Sequence, residues 1–169
     1  VAAPRRQVAP TPSPADVARI VARLDAMVRD LVDVRIRAGF VGLPGDRYRT
    51  GETVAEIAAS HEFGFGVPQR PFMTRAIRGA ARGEVVRLVT ADARRYVQGQ
   101  IPASRVVRRA GIALVSAIKG EINANIPPPN SPETIAAKRS SQTLIDTGVM
   151  LNAVRAAVDV VGHPAEVVG

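Results

Sequence analysis

Residues 54–72 read VAEIAASHEFGFGVPQRPF, a short helical pattern that runs into two glycines and two prolines. Thr53 and Glu56 have the spacing of a capping box, in which a Thr hydroxyl and a Glu carboxylate each satisfy a backbone N–H left unpaired by the first helical turn. The predicted inner face is Val54, Ile57, Ala58 and His61. Gly64, Gly66, Pro68 and Pro71 then break the helix and force an irregular, exposed crossing, the kind of segment that often carries contacts.

Upstream of this stretch two elements are set by periodicity. Ser13 stands as an N-cap, with Pro14 at the first helical position and Asp16 in the first turn. Val17, Ile20, Val21, Leu24, Met27, Val28 and Leu31 recur at steps of three and four, which predicts one apolar face on a helix ending near Asp33. At Val34 the period becomes two. Val34, Ile36, Ala38 and Phe40 alternate with Arg35, Arg37 and Gly39, as expected of a strand with one buried side. Pro44-Gly45-Asp46 supplies turn chemistry, and a partner strand is expected from Arg47 to Thr50. Residues 1–14 carry Pro4, Pro10, Pro12 and Pro14 beside Arg5 and Arg6, a composition that favours an extended arm and builds no core.

Downstream, helical patterns run from about Arg82 to Val97 and from about Ala103 to Asn123. On the second, Arg105, Arg109, Ser116, Lys119 and Asn123 lie opposite the stripe of Val107, Ala110, Leu114, Ala117, Ile118 and Ile122. Residues 126–142 form a Pro, Ser and basic stretch longer than most connections, and long loops of that kind usually serve a function. A helical turn near Gly148 to Leu151 and a strand from Val154 to Val161 close the chain. Strands and helices without a regular βαβ rhythm predict an α+β domain over residues 15–169, a small antiparallel sheet packed against several helices.

Hydrophobic residues make up 46% of the 169, aromatics only 4%, and there is no Trp, so the core must be built from Val, Ile, Leu and Ala. The absence of cysteine excludes disulfides, thiolate zinc sites and cysteine nucleophiles. No apolar run reaches the roughly 18–20 residues of a membrane helix, so a soluble protein made in the cytoplasm is expected. The formal net charge is +8. Between Arg82 and Asn125 eight basic residues (Arg82, Arg87, Arg94, Arg95, Arg105, Arg108, Arg109, Lys119) face three acidic ones (Glu84, Asp92, Glu121). Such an excess fits either nucleic acid or a solvated helix face meeting acidic partners.

Catalytic patterns fail on what accompanies them. Asp146-Thr147-Gly148 follows Leu144-Ile145 in the manner of an aspartic protease loop, but only 21 residues follow it, too few for the flap and strands such an enzyme needs. Asp146 and Thr147 are read instead as caps of a short helix, with Gly148 in a tight turn. His61-Glu62 resembles the start of a zinc-protease helix, yet the position of the second ligand is Phe65. His61 is expected to pack on the sheet, and Glu62 to pair with an Arg such as Arg70 or with a neighbouring subunit. No phosphate-binding Gly loop and no Gly-x-Ser-x-Gly elbow occurs. No catalytic, cofactor-binding or metal-binding residue is predicted.

His61-Glu62-Phe63-Gly64 with Val67-Pro68-Gln69-Arg70-Pro71-Phe72 resembles a signature of the neck and tail-completion family of long-tailed bacteriophages, proteins of virion morphogenesis and head-tail joining. Further pieces follow in the family's order: Pro127-Pro128-Pro129, Ser131-Pro132, Thr134-Ile135, Lys138 and Leu144-Ile145-Asp146-Thr147-Gly148. With Gly39-Phe40-Val41-Gly42 and Gly51 upstream, the match covers residues 34–154. The resemblance implies a structural virion protein, not an enzyme, forming a six-fold or twelve-fold ring at the head-tail junction with a channel for DNA. Its implied partners are copies of itself, a head-closure or connector protein, and a tail terminator or tail tube protein; DNA would pass without sequence-specific binding. Carried over by position, Glu62, Phe63, Pro68, Arg70, Pro71 and Phe72, together with Pro127, Pro128, Pro129, Lys138 and Arg139, become subunit contacts. Gly64, Asp146, Thr147 and Gly148 become turn and cap residues, with Leu151 helping to anchor the long loop. The competing expectations are a basic nucleic-acid-binding module and a tail-terminator or minor tail protein of similar fold.

Overall fold

The computed structural model describes residues 13–32, 34–41, 47–48, 51–160 and 166–168. In order along the chain these form α1 (Pro14–Val32), β1 (Val34–Gly39), α2 (Val54–Phe63), α3 (Phe72–Arg82), α4 (Glu84–Val97), α5 (Ala103–Asn123), α6 (Pro132–Lys138), α7 (Val149–Ala153), β2 (Arg155–Val160) and β3 (Glu166–Val168). The fold is α+β, with a three-stranded antiparallel sheet packed against α5. Residues 1–12 of the predicted arm, the Pro44-Gly45-Asp46 turn and His163 lie outside the described residues.

Helix α5 sits at the centre because both of its long sides find apolar neighbours. One side, with Val107, Ala110, Val115, Ile118 and Ile122 buried, faces the sheet, and α3 and α4 pack along the other. Gly111 makes the close approach to the sheet possible. A Cβ there would stand 3.3 Å from Ala156 Cβ and 3.4 Å from Val158 Cγ2. Such spacing matches a core of small side chains, in which the sheet's side chains pack directly on the helix backbone at Gly111.

The sheet order is β1-β2-β3, with Val34 opposite Val160 and Gly39 opposite Arg155. Strand β2 lies in the middle and has Ala156, Ala157 and Val158 buried in succession, as a covered central strand should. The alternation predicted for β1 is present, with Arg35 and Arg37 exposed between half-buried Val34, Ile36 and Ala38. Its pairing differs from expectation. Among the described residues the strand expected from Arg47 to Thr50 is represented by an isolated bridge between Arg47 and Thr53, and β1 pairs with a segment about 120 residues later. Strand period shows which residues face the core, but it carries no information on which partner supplies the hydrogen bonds.

Two helices were not foreseen. α3 starts at Phe72, where the exposed crossing ends, and α6 lies inside the stretch expected to be loop. α6 has its own local cap, Ser131 accepting from Thr134 N–H with Pro132 in the first turn. α3 is capped from elsewhere.

Phe72 corrects the role expected for it. It is fully buried, packed edge-on against Phe40 at 6.2 Å between ring centroids, and joins Val54, Ile122 and Val154 among the most deeply buried side chains. It anchors the domain's own core and offers no surface to a neighbour.

Candidate functional site

The capping box at Thr53 and Glu56 is complete: Glu56 N–H donates to Thr53 Oγ1 at 3.2 Å and Thr53 N–H to Glu56 Oε2 at 2.7 Å. At its far end α2 stops at Gly64, whose φ of 78° is left-handed and whose N–H donates to Ser60 O. The chain then doubles back along the helix it has just left. Arg70 N–H donates to His61 O at 2.7 Å and Gln69 Nε2 to Glu62 O at 3.2 Å.

Glu62 is the hinge of this turn. It is 6% exposed and accepts from Met73 N–H at 2.8 Å, Thr74 N–H at 3.0 Å and Thr74 Oγ1 at 2.6 Å. Its carboxylate therefore caps α3, where unpaired N–H groups and the helix dipole favour a negative charge. This corrects the ion pair expected between Glu62 and Arg70, which is not formed.

Arg70 turns the other way. Only 3% exposed, it donates through Nε and Nη2 to Pro128 O at 3.1 and 2.8 Å, and through Nη2 to Asn130 Oδ1 at 3.3 Å. Burial lowers its pKa. A planar fork spanning a carbonyl and an amide is a contact that Lys would not reproduce. The guanidinium thus pins the Pro127-Pro128-Pro129 segment, whose prolines are exposed, onto the loop after α2.

The long loop is stitched further by Lys138, expected as a subunit contact, and by Asn130 and Asn125, which the sequence did not single out. Asn130 Nδ2 and Lys138 Nζ both donate to Gln142 O, at 2.9 and 3.1 Å. Thr143 N–H donates to Oδ1 of Asn125, which has a left-handed φ of 52°. An Asn beside a Pro run is the signal that was available, since Asn tolerates that conformation and bonds nearby backbone. Arg139, exposed and also left-handed at φ 54°, ends α6. Gly148, φ 79°, is itself the N-cap residue of α7, and no side chain caps that helix. The capping expected of Asp146 and Thr147 is therefore corrected, and both are exposed.

Between these two seams lies a cleft of about 460 Å³, lined by Tyr48, Ile57, His61, Pro68, Arg70, Pro129, Asn130, Ser131, Thr134, Lys138, Thr143, Leu144 and Asp146 among others. It brings together residues 48–70 and 129–150. Two cationic groups, Arg70 and Lys138, face one carboxylate, Asp146. Burial lowers the pKa of His61, and Arg70 and Lys138 lower it further. Burial also lowers that of Lys138, opposed by Asp146. Tyr48 is raised by burial and then by Asp146. His61 Nδ1 and Thr143 Oγ1 are buried without a hydrogen-bond partner. Among the described residues no group of three or more His, Cys, Asp or Glu is placed to hold a metal.

Beside the cleft the α2 turn exposes two aromatic rings. Phe63 and Phe65 are 62% and 66% exposed, with centroids 5.7 Å apart. Phe63 was expected as a contact; Phe65 was not singled out.

The basic segment is partly neutralised from within. Asp92, 2% exposed, takes Arg109 at 2.7 Å and Arg95 at 3.9 Å, and Arg108 pairs with Glu166 at 3.2 Å. Three of its eight cations are therefore committed to carboxylates, which weakens the case for a dedicated phosphate-binding face. Among the described residues no helix is long and apolar enough to cross a membrane. Neither a family model, nor a curated protein, nor a solved structure matches this chain.

Proposed function

We propose that this chain is a structural virion protein of the head-tail junction, a subunit of a ring that joins the connector to the tail and leaves a channel for DNA. The observation that carries this reading is convergence. The two motif-bearing stretches, 54–72 and 126–148, are far apart in sequence yet fold into a single seam, tied by Arg70 to Pro128 and Asn130. The seam stiffens a loop that presents Phe63 and Phe65 to solvent. Rigid exposed aromatics beside a polar rim have the make-up of an interface hot spot, because ring area is removed from water at little entropic cost.

In this reading the motif residues divide into supports and contacts. Glu62, Gly64, Arg70, Phe72 and Gly148 shape the seam, whereas Phe63, Pro68, Pro127, Pro129 and Arg139 reach neighbours. The test is the double variant Phe63→Ala/Phe65→Ala. Both rings are exposed, so stability is expected to stay within about 0.5 kcal/mol of the parent, while heads and tails accumulate unjoined. Normal joining by a correctly folded double variant would remove the aromatic pair from the account.

A further inference from the structure

Arg70 carries a buried charge that no carboxylate answers. It is 3% exposed, and the groups it reaches, Pro128 O and Asn130 Oδ1, are both neutral. Among the described residues no Asp or Glu forms an ion pair with it. Its bonds run through Nε and Nη2, which leaves Nη1 of the five-donor fork unused. Buried charges are as a rule paired, because leaving water is costly without an opposite charge.

Other polar groups without full partners line the same cleft. Thr143 is also 3% exposed, and its Oγ1 is buried with no hydrogen-bond partner. Nδ1 of His61 is buried without a partner as well. Lys138 gives one donor to Gln142 O, and an ammonium has three. The one carboxylate in the lining, Asp146, is exposed and so stands at the rim, whereas Arg70 and Thr143 lie at the buried end. Two cations, Arg70 and Lys138, against one carboxylate leave the lining with a single excess positive charge.

We propose that this cleft binds a carboxylate borne on a short apolar body, its oxygens held by Arg70, Lys138 and the Thr143 hydroxyl. One excess positive charge matches one negative charge, so a carboxylate fits better than a phosphate dianion. The volume of about 460 Å³ is that of a small-molecule site and far exceeds a bare ion, and Ile57, Leu144 and Met150 give the remainder of the ligand an apolar wall. A free small acid and the end of a peptide chain present the same group. The inference does not depend on the ring reading, and Phe63 and Phe65 play no part in it.

Nuclear magnetic resonance on the full chain tests it, because the chain has only two histidines and the His61 ring reports from inside the cleft. The probes are N-acetyl-leucine, its neutral amide, inorganic phosphate and the peptide acetyl-Ala-Ala-Leu. N-acetyl-leucine is expected to shift the His61 signal saturably. It should also raise the pH at which that ring titrates: burial, Arg70 and Lys138 lower the pKa of His61, and a bound carboxylate offsets the two cations. The amide should do neither, and phosphate should bind more weakly than the acid. Thr143→Val keeps the fold, since the lost hydroxyl bonds nothing there, and should bind the acid several-fold more weakly. Lys138→Gln retains a donor for Gln142 O and should weaken binding about tenfold. Tighter binding of the peptide than of N-acetyl-leucine assigns the carboxylate to a chain terminus, and equal or weaker binding assigns it to a small acid; each supports the site. No saturable shift with either acid, an amide or phosphate that binds as tightly as the acid, or either variant binding as the parent does would overturn the proposal.

Discussion

The seam around Arg70 and the helix α1 are both announced strongly by sequence pattern, and they end in opposite conditions. At the seam, residues read as outward contacts turn inward: Glu62 caps α3, Arg70 holds Pro128 and Asn130, and Phe72 fills the core. On α1, Val17, Ile20, Val21, Leu24 and Val28, read as part of a core face, remain about half exposed, while Met27 packs beside Tyr96. A pattern therefore shows that a surface needs covering or a polar group needs a partner. It does not show whether the partner lies in the same chain.

The largest effect that would break this comparison comes from Phe72. If it belongs wholly to the core, Phe72→Ala should cost about 3–5 kcal/mol in chemical denaturation. A loss below 1 kcal/mol would return Phe72 to the surface role first expected of it. The next effect concerns Arg70. Arg70→Met removes charge-assisted hydrogen bonds worth about 2–3 kcal/mol and should open residues 126–142 to proteolysis. Arg70→Lys should restore little, because the fork geometry is lost. Unchanged proteolysis in both variants would mean that the loop is held by its other ties alone.

The smallest effect is a pH dependence. His61 has its pKa lowered in the fold from the ordinary 6.5, chiefly by burial. The unfolded chain therefore takes up a proton first as pH falls. Stability from this group is complete above about pH 6.5 and declines as pH drops from there toward the folded value. His61→Gln should flatten that decline in melting temperature measured between neutral and mildly acidic pH. An identical pH profile in parent and variant would show that His61 binds its proton equally in the folded and unfolded states.

How much was legible follows from the range over which each signal acts. The Thr53/Glu56 box, the alternation of β1, the two-faced α5 and the strand at Arg155–Val160 all depend on residues a few positions apart, and each is present. α3 escaped notice because its cap is Glu62, which belongs to the preceding helix and reaches Met73 and Thr74 only after the chain doubles back. The partner of β1 escaped for the same reason at longer range, since the nearer segment after Arg47 was the local choice. At the site, the motif identified Arg70 and Lys138 but not their targets. The backbone oxygens of Pro128 and Gln142 have no side-chain signature in a sequence.

The proposed neck role is tested most directly by a cryo-EM map of a phage head-tail junction assembled with this chain. The account predicts a closed ring of copies of this protein around an open DNA channel, with Phe63 and Phe65 against a neighbouring protein. Particles with a complete neck that contain none of this chain, or contain it as a single copy off the axis, would contradict it.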